Sequence, residues 1–376
     1  MSFYQHWQQI DWQHWQQRLG TADANAVSAV IKRAGHQRLQ VEDLAVLLSP
    51  AAQTALEPMA QRAAQITRQR FGHTMRLFVP LYLSNLCAND CSYCGFSMSN
   101  SVRRKTLSRD EVRLECEVLQ AKGFDSVLLV AGEHERHVGM AYFEQVLPII
   151  REYFSHIALE VQPLTAEDYR RLRELGLAAV SVYQETYQAK AYAQHHLRGK
   201  KTDFRWRLET PDRVATAGID KIGLGALLGL ADWRADVLAC ALHLRYLQKH
   251  YWRSRYSIAF PRLRPFAGAG DNEGFAAGLV TNADLVQLIC AFRLFEPDLE
   301  INVSTRESSQ LRDHLMPLGV THMSAGSKTQ PGGYADQAIA LEQFQTDDQR
   351  SAQAVASALR QRGFEPVWKD WERQFR

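Results

Sequence analysis

The sequence predicts an α/β protein, a (β/α)8 TIM-like barrel preceded by an N-terminal helical extension. Three observations support this prediction. Eight short apolar, β-prone runs follow one another from residue 76, amphipathic segments separate them, and polar side chains gather just after the runs. A doubly wound open sheet is the alternative architecture, because it shows the same alternation of strands and helices.

The first part of the chain is predicted to be helical. Its aromatic and aliphatic residues recur close to the helical period and indicate one helix with a single apolar stripe, formed by Trp7, Ile10, Trp12, Trp15 and Leu19. Core packing explains this stripe better than a binding surface does. Three further helices are expected over 22–34, 39–48 and 51–71, with a break at Ser49-Pro50 and an end at Gly72.

The barrel prediction depends on the runs from residue 76 onwards. The eight predicted strands are 76–84, 126–132, 158–163, 179–184, 221–229, 256–260, 300–305 and 321–327. The predicted helices between them include 108–122, 140–154, 165–175, 233–251, 282–295 and 308–318. In a barrel, functional residues lie on the loops that follow the strands. Polar residues do collect at these strand ends, which favours the barrel.

Three segments are expected from this pattern: a helical extension (1–75), the barrel (76–330) and a C-terminal segment that caps the barrel (331–376). The composition is ordinary for a globular protein, with 23% charged residues and a net charge of +3. This charge gives no support for a nucleic-acid or membrane partner. No apolar run has membrane-spanning length, and no signal peptide is evident at the N-terminus.

Three cysteines stand out because they are clustered. Cys87, Cys91 and Cys94 have C-x3-C-x2-C spacing just after the first predicted strand. Three thiolates suit a cubane iron–sulfur cluster with one iron left open for chemistry. A zinc or disulfide site is the alternative, but Cys116 and His134 do not supply a second short-spaced pair for zinc. Clustered cysteines in a chain of this size also favour a reducing cytoplasm.

The other candidate metal ligands carry less information. Cys116, Cys240 and Cys290 fall in helix-patterned segments, where buried thiols are expected. The histidines, including His195 and His196, lack a metal-ligand spacing such as H-x3-H, so they are assigned no metal.

The cysteine loop resembles the signature of the radical S-adenosylmethionine (SAM) superfamily. The resemblance rests on the cysteine spacing, on Tyr93 before the last cysteine, and on the following Gly95 and Phe96. It implies that the three cysteines hold a [4Fe–4S] cluster whose open iron binds SAM. Reductive cleavage then yields methionine and a 5′-deoxyadenosyl radical. It also implies that the barrel is of the radical SAM type and that Tyr93 lies near the adenine.

Further SAM-binding residues are expected from the same resemblance. Gly132 and Glu133, in AGEHE, look like the stretch that accepts the methionyl ammonium, although an ordinary βα turn is the alternative. Glu160 is a candidate for the same ammonium or a ribose hydroxyl, unless it is simply paired inside the barrel. Glu185, at the end of the fourth strand, is also assigned to SAM.

Two glycines of the fifth strand complete the SAM assignment. Gly223 and Gly225, in KIGLG, resemble the stretch that leaves open backbone beside an adenine edge. No G-x-G-x-x-G phosphate loop is present, and close packing of the glycines inside the barrel is the alternative.

Substrate binding is assigned to strand ends on the other side of the barrel. Arg306, in VSTRES, offers a planar fork that matches a carboxylate, and Ser304 adds a hydroxyl. A surface pair between Arg306 and Glu307 is disfavoured, because adjacent strand residues point to opposite faces. Tyr82 is assigned to the substrate as well.

Three features of the predicted site are left without a firm role. Arg262 and Arg264 are further candidates to line the site, and no residue is identified as the proton acceptor. The turn-rich loop 324–336 is either a lid or a plain structural loop.

The ordered set of motifs resembles the aromatic amino-acid lyases of the superfamily. It resembles most the tyrosine lyases of thiazole biosynthesis, the 2-iminoacetate synthase family. The set comprises LYLSNLCANDCSYCGFSMSN, LLVAGEHE, VYQETY, RLETPDR, AGIDKIGLGALLGL, SRYSIAFPRLRP, STRES and SAGSKTQPGGYAD. The resemblance implies cleavage of the Cα–Cβ bond of L-tyrosine to 2-iminoacetate (dehydroglycine) and p-cresol. It also implies two partners, a thiazole synthase and a flavodoxin-like reductant.

One related function is disfavoured, and two others stay open at this point. The tyrosine lyase that matures [FeFe]-hydrogenase is disfavoured, because it has a C-terminal cysteine motif and no cysteine follows Cys290 here. A lyase of another aromatic amino acid, such as tryptophan, differs only in the ring that the pocket accepts. A non-enzymatic iron–sulfur protein would need only the cysteines.

Overall fold

The computed structural model describes residues 2–265, 280–335 and 342–369 of the chain. Its strands, in chain order, are β1 (Thr74–Ser84), β2 (Asp90–Cys91), β3 (Ser126–Ala131), β4 (His156–Glu160), β5 (Ala179–Ser181), β6 (His196–Arg198), β7 (Lys221–Gly225), β8 (Arg255–Ala259), β9 (Glu300–Val303), β10 (His322–Ser324) and β11 (Glu365–Val367). Nine of them, all but β2 and β6, form one parallel sheet, and eight of these nine, all but β11, make up the barrel. The first and last of these eight, β1 and β10, pair through Arg76 and His322 and close the sheet into a barrel. The barrel prediction is confirmed, and the open sheet is excluded.

The predicted helices are found close to their predicted bounds, apart from the first, and the helices over 189–195, 204–208, 210–216 and 352–361 were not predicted. The helices are α1 (Phe3–Trp7), α2 (Trp12–Thr21), α3 (Ala24–Arg33), α4 (Val41–Leu47), α5 (Leu56–Phe71), α6 (Arg109–Ala121), α7 (Met140–Tyr153), α8 (Ala166–Glu174), α9 (Ala189–His195), α10 (Phe204–Leu208), α11 (Thr210–Thr216), α12 (Trp233–His250), α13 (Asn282–Phe295), α14 (Ser309–Leu315) and α15 (Ala352–Gln361). Several of the helices have a serine or threonine as their N-cap. Thr165 and Thr281, for example, accept the backbone N–H of the third helical residue and so satisfy one unpaired amide.

The prediction of one helix across Trp7 to Leu19 is wrong. The chain breaks between α1 and α2, because the side chain of Asp11 accepts a hydrogen bond from the amide of His14 and starts a new helix there. Phe3 of α1 stacks on His243 with ring centroids 3.8 Å apart. The stripe nonetheless packs as expected: Leu19 is buried, and Trp7, Trp12 and Trp15 lie partly buried against the core.

The side chains of β1 alternate between the apolar core and the interior of the barrel. Val79, Leu81 and Leu83 are fully buried in the apolar core, whereas Phe78 and Tyr82 line a cavity inside the barrel. Because the strands are parallel, their carboxyl ends meet at one end of the barrel, and inward-facing side chains from several strands collect there.

Two strand pairings lie outside the barrel and were not predicted. The antiparallel ribbon of β2 and β6 joins the cysteine loop to residues 196–198. The short strand β11 adds to the outer end of β1, with Thr74 opposite Glu365. The three-segment division stays a prediction, and parts of the 324–336 loop and of the C-terminal segment lie outside the described residues.

Within the part of the chain that the structure describes, no helix has both the length and the apolarity of a membrane span.

Candidate active site

The cysteine loop leaves the barrel at the end of β1 and is held by one arginine. The guanidinium of Arg104 donates to four backbone carbonyls of this loop, those of Asn85 (2.7 Å), Phe96 (2.8 Å), Ser97 (2.6 Å) and Asn100 (3.1 Å). A planar fork with five donors can serve four acceptors at once, which an ammonium group cannot do in the same plane. Arg104 therefore fixes the conformation in which the loop presents its thiols.

Replacing Arg104 with lysine should reduce iron incorporation severalfold, because the loop loses most of its charge-assisted hydrogen bonds. Iron and sulfide content after anaerobic reconstitution measures this effect. The neighbouring Arg103 is exposed, so Arg103→Lys provides a matched control that should incorporate iron normally. Equal iron content in both variants would contradict the assignment.

The three thiols share a buried setting that raises their pKa values. Burial raises the pKa of Cys87 to about 11, with a further contribution from Glu133. Burial also raises the pKa of Cys91 and of Cys94. Without a metal these groups are neutral thiols at physiological pH, and bound iron would supply the positive charge that keeps them ionised.

The donor set fits a cubane cluster. In the described residues, no three His, Cys, Asp or Glu side chains converge on one point as a single metal ion requires. A cubane has separate irons that each take one thiolate, so three thiols spread around a loop suit it. The backbone amide of Asn89 lies 3.5 Å from Cys87 Sγ, and the side-chain amide of Gln343 lies 3.8 Å from Cys94 Sγ. Such donors stabilise the charge on cluster ligands.

The two neighbouring histidines hold the cysteine loop. His196 Nδ1 lies 2.7 Å from the carbonyl of Tyr192, which can only accept, so Nε2 accepts the hydroxyl hydrogen of Tyr93 at 2.7 Å. Burial lowers the pKa of His196 to about 3, which keeps this ring neutral. His195 lies 2.7 Å from the hydroxyl of Ser92. Tyr93 is thus fixed in orientation beside the cysteines.

A buried charge network lies next to this loop. Glu133 and Glu185 share Arg207, whose guanidinium lies 2.9 Å from Glu133 Oε1 and 3.2 Å from Glu185 Oε1. Lys201 lies 2.7 Å from Glu185, and the side-chain amide of Asn89 donates to Glu133 at 2.7 Å. Burial raises the pKa of Glu185, but Lys201 and Arg207 outweigh it and lower the value to about 2. Glu185 therefore stays ionised beside its two cations.

Glu185 has a strained backbone that its neighbours hold in place. It is the one non-glycine residue with a positive φ, 70°, in the described chain. The amide of Leu227 donates to its carbonyl at 2.8 Å. Asp236 accepts from the Thr186 hydroxyl at 2.9 Å and from the Tyr187 amide at 2.8 Å. Strain of this kind is typical of functional sites.

A cavity of about 360 Å³ opens beside this network. Its lining joins an acid, Glu133, to two cations, Lys201 and Arg207. The buried Oε1 of Gln162 and Nδ1 of His134 also line it, and neither has a hydrogen-bond partner among the described residues. A zwitterion with an ammonium and a carboxylate would find a counter-charge for each group here. The residues present therefore fit the amino-acid part of SAM.

A second cavity, of about 240 Å³, lies inside the barrel. The predicted site residues that line it are Tyr82, Tyr93, Cys94, Glu160, Glu185, Ser304 and Arg306. The guanidinium carbon of Arg306 lies 3.3 Å from the centre of the Phe344 ring. Burial raises the pKa of Glu160 to about 7, with repulsion from Glu185 as the next cause. One side of this cavity thus carries a cation on an aromatic platform and a carboxyl poised near neutral pH.

The carboxylate of Glu307 forms its ion pairs with arginines other than Arg306. Its carboxylate pairs with Arg262, whose Nε lies 3.0 Å from Oε1, and with Arg264, at 3.0 Å. Arg264 also reaches Asp347 at 2.9 Å. These ion pairs hold both arginines outside the cavity lining, so neither lines the site as the sequence indicated.

Three predicted glycines lie outside both cavities. Gly132 packs against the cysteine loop, since a Cβ there would lie 2.4 Å from the carbonyl oxygen of Leu86. A Cβ on Gly223 would lie 2.1 Å from Ser181 Oγ, and one on Gly225 would lie 2.1 Å from the carbonyl oxygen of Ala259. Close packing between strands is thus one reason for glycine at both positions, and the assignment of these two glycines to adenine stays a prediction.

Sequence reasoning missed several residues of the site: Arg104, His196, Lys201, Arg207, Gln343 and Phe344. Lys201 and Arg207 lie in KKTDFRWR, a charged stretch that reads as solvated surface. The burial of Lys201 and Arg207 is evident only from the folded structure. The other free cysteines, Cys116, Cys240 and Cys290, are buried in helices as predicted.

Comparisons with known proteins agree with this site. Residues 81–239 match the radical SAM superfamily, and residues 259–365 match the Biotin and Thiamin Synthesis associated domain. The chain is 54% identical to 2-iminoacetate synthase of Salmonella typhimurium and 53% identical to that of Escherichia coli. Each alignment covers 99% of this chain and 97% of the relative.

Solved structures give the same fold. A crystal structure of HydG, a maturase of the [FeFe]-hydrogenase, superposes with a TM-score of 0.89 at 30% identity, covering 96% of this chain and 81% of that one. Methylornithine synthase (PylB) superposes with a TM-score of 0.70 at 21% identity, covering 91% of this chain and 97% of that one, a likeness of fold.

The closed barrel, the three-cysteine loop and the superfamily match define a radical SAM enzyme, with a [4Fe–4S] cluster and SAM as its cofactors. Within that class the enzyme is a carbon–carbon lyase. The chain belongs to the 2-iminoacetate synthase family.

Proposed function

We propose that this enzyme cleaves the Cα–Cβ bond of L-tyrosine, giving 2-iminoacetate and p-cresol. The observation that carries the proposal is Arg306, a cation inside the barrel that is stacked on Phe344 and faces the same cavity as Tyr82 and Cys94. Its planar fork suits the carboxylate of an amino acid. The apolar part of the lining, which includes Phe78, suits an aromatic ring.

The cluster and SAM, when bound, would supply the 5′-deoxyadenosyl radical, a species able to remove hydrogen from the amino group of tyrosine. We assign the cluster to Cys87, Cys91 and Cys94. We assign the methionyl ammonium to Glu133 and the methionyl carboxylate to Arg207, whose side chain is only 7% exposed. Glu185 pairs with both Arg207 and Lys201 and holds the two cations in place. His196 fixes the orientation of Tyr93, which lines the barrel cavity.

Substrate positioning falls to the barrel interior. Arg306 binds the tyrosine carboxylate and Ser304 adds a hydrogen bond, so that the amino group lies toward Glu160. Tyr82 packs beside the substrate. Burial, followed by Glu160, raises the pKa of Tyr82, so its hydroxyl stays protonated, and it donates to Gln343 Oε1 at 2.8 Å.

Glu160 is assigned as the acceptor of a proton from the tyrosine ammonium. Only the ionised carboxylate can accept this proton, and its pKa is raised to about 7. We therefore expect kcat/KM for tyrosine to fall as the pH drops below about 7, and this limb to disappear in Glu160→Gln. A pH series on anaerobic enzyme measures it. An unchanged limb in Glu160→Gln would remove the role.

The substrate is tested with a panel of amino acids. Tyrosine should release p-cresol together with 5′-deoxyadenosine, whereas tryptophan should release no indole-derived fragment. Cleavage of tryptophan at a comparable kcat/KM would contradict the substrate assignment while leaving the radical site intact.

We further propose that a thiazole synthase receives the imine and that a flavodoxin-like protein supplies the electron. A free imine hydrolyses in water, so direct transfer to the next enzyme protects it. The reducing cytoplasm is the proposed compartment, in keeping with six free cysteines. Thiazole formation by the two purified enzymes, compared with each alone, tests the transfer.

A further inference from the structure

A short strap, residues 342–348, crosses the barrel end between the cysteine loop and the strands. Its backbone is anchored on both sides of Gln343. The amide of Gln343 donates to the carbonyl of Thr329 at 3.0 Å, and its carbonyl accepts from the amide of Gly95 at 3.1 Å. Farther along the strap, the amide of Asp347 donates to Thr305 at 3.0 Å. The position of Gln343 is therefore set by the fold.

The contact with the cysteine loop is close enough to require glycine. A Cβ on Gly95 would lie 2.8 Å from the carbonyl oxygens of both Glu342 and Gln343. Gly95 follows Cys94 directly, so the strap lies against the backbone that carries this cluster ligand.

The side-chain amide of Gln343 has a partner at each end. Its Oε1 accepts the hydroxyl hydrogen of Tyr82 at 2.8 Å. Its Nε2 lies 3.8 Å from Cys94 Sγ, a distance suited to a hydrogen bond to sulfur. The hydroxyl of Tyr82, the amide and the sulfur thus form one chain of hydrogen bonds that points from the barrel cavity to the cluster ligand.

Such a chain affects the cluster electronically. Hydrogen bonds to cluster sulfurs help set the reduction potential, because they stabilise the extra negative charge of the reduced state. A hydrogen bond accepted by the amide oxygen polarises the amide group, so the N–H of the same amide donates more strongly. A change in the hydrogen bonding of Tyr82 therefore alters the hydrogen bond that Cys94 Sγ accepts from Gln343.

We propose that Gln343 is a relay between the substrate cavity and the cluster, through which tyrosine bound beside Tyr82 changes the reduction potential of the cluster. This inference rests on the proposed function, since it takes Tyr82 to contact the substrate. Gln343 acts through Cys94 and Tyr82, so it is a positioning residue and touches no reacting atom.

The test is a redox titration of the reconstituted holoenzyme, followed by electron paramagnetic resonance, with and without tyrosine. We expect Gln343→Leu to shift the midpoint potential to a more negative value without tyrosine. Gln343→Glu should do the same, because an ionised carboxylate cannot donate. Tyr82→Phe should shift it by less, and should add nothing in the Gln343→Leu background. Tyrosine should shift the potential of the wild type and leave that of Gln343→Leu unchanged.

The matched control is Gln345→Leu, because Gln345 lies on the same strap, is exposed, and donates its backbone amide to the carbonyl of Pro265 at 3.1 Å. It should keep the wild-type potential. Wild-type potentials in Gln343→Leu, at full iron content, would overturn the proposal, as would an equal response to tyrosine in both proteins. Failure of the proposed function looks different: the wild type would not cleave tyrosine, while the tyrosine-free potentials would still decide whether Gln343 donates to Cys94.

Discussion

Cys94→Ala is expected to abolish tyrosine cleavage and to prevent assembly of a stable [4Fe–4S] cluster. Cys94 lines the barrel cavity, and its thiol is one of only three that the loop supplies. A cubane held by two protein thiolates would leave two irons without a protein ligand. Iron and sulfide content, the visible spectrum and 5′-deoxyadenosine formation measure the loss together.

Cys290→Ala is the matched control for this substitution. Cys290 is fully buried in α13 and lines neither cavity, so its loss removes a small apolar contact and no ligand. This variant should assemble the cluster and retain activity. Normal cluster content in Cys94→Ala, or equal losses in both variants, would contradict the assignment of the cysteine loop.

Arg306→Lys is expected to raise the KM for tyrosine by about 10- to 100-fold while leaving cluster content unchanged. An ammonium replaces the bidentate fork with a point charge and loses the stacking on Phe344. Loss of a charge-assisted hydrogen bond of about 1.5–3 kcal/mol corresponds to this range. Initial rates over a range of tyrosine concentrations, at saturating SAM, measure the effect.

Arg264→Lys is the matched control for Arg306→Lys. Arg264 does not line the cavity; it pairs with the buried Glu307 at 3.0 Å and with the exposed Asp347 at 2.9 Å, and a lysine can keep an ion pair with Glu307. Its KM should stay near that of the wild type. An unchanged KM in Arg306→Lys would remove Arg306 as the carboxylate anchor.

Much of the fold could be predicted from the sequence, because local signals agree with it. The apolar runs identified all eight barrel strands, and helices such as α7 and α13 begin and end close to the predicted residues. The error in the first helix has a local cause. A stripe of tryptophans indicated continuity, while Asp11, a good N-cap, marked the break.

The site was harder to predict, because its residues come together only in the fold. The cysteine loop and Arg306 carry their own chemical signal. Arg207 and Lys201 do not, because burial beside Glu133 and Glu185 is what distinguishes them from surface cations. Gln343 lies 249 residues from Cys94 in the sequence, and no spacing rule connects the two.

The glycines of β7 carry an ambiguous signal. The G-x-G pattern is the basis for the adenine assignment, which stays a prediction, and the neighbouring strands also leave no room for a side chain at Gly223 or Gly225. A glycine required for packing and a glycine required for a ligand look alike in one sequence. Only the distances to neighbouring atoms separate them.

The central claim, tyrosine cleavage by a radical mechanism, is tested most directly by one incubation. Reconstituted enzyme, SAM, dithionite and tyrosine labelled with ¹³C in the ring are combined anaerobically, and the products are followed by mass spectrometry. The account predicts labelled p-cresol that accumulates together with 5′-deoxyadenosine, both dependent on tyrosine. 5′-Deoxyadenosine without labelled p-cresol, from protein with an intact cluster, would contradict it.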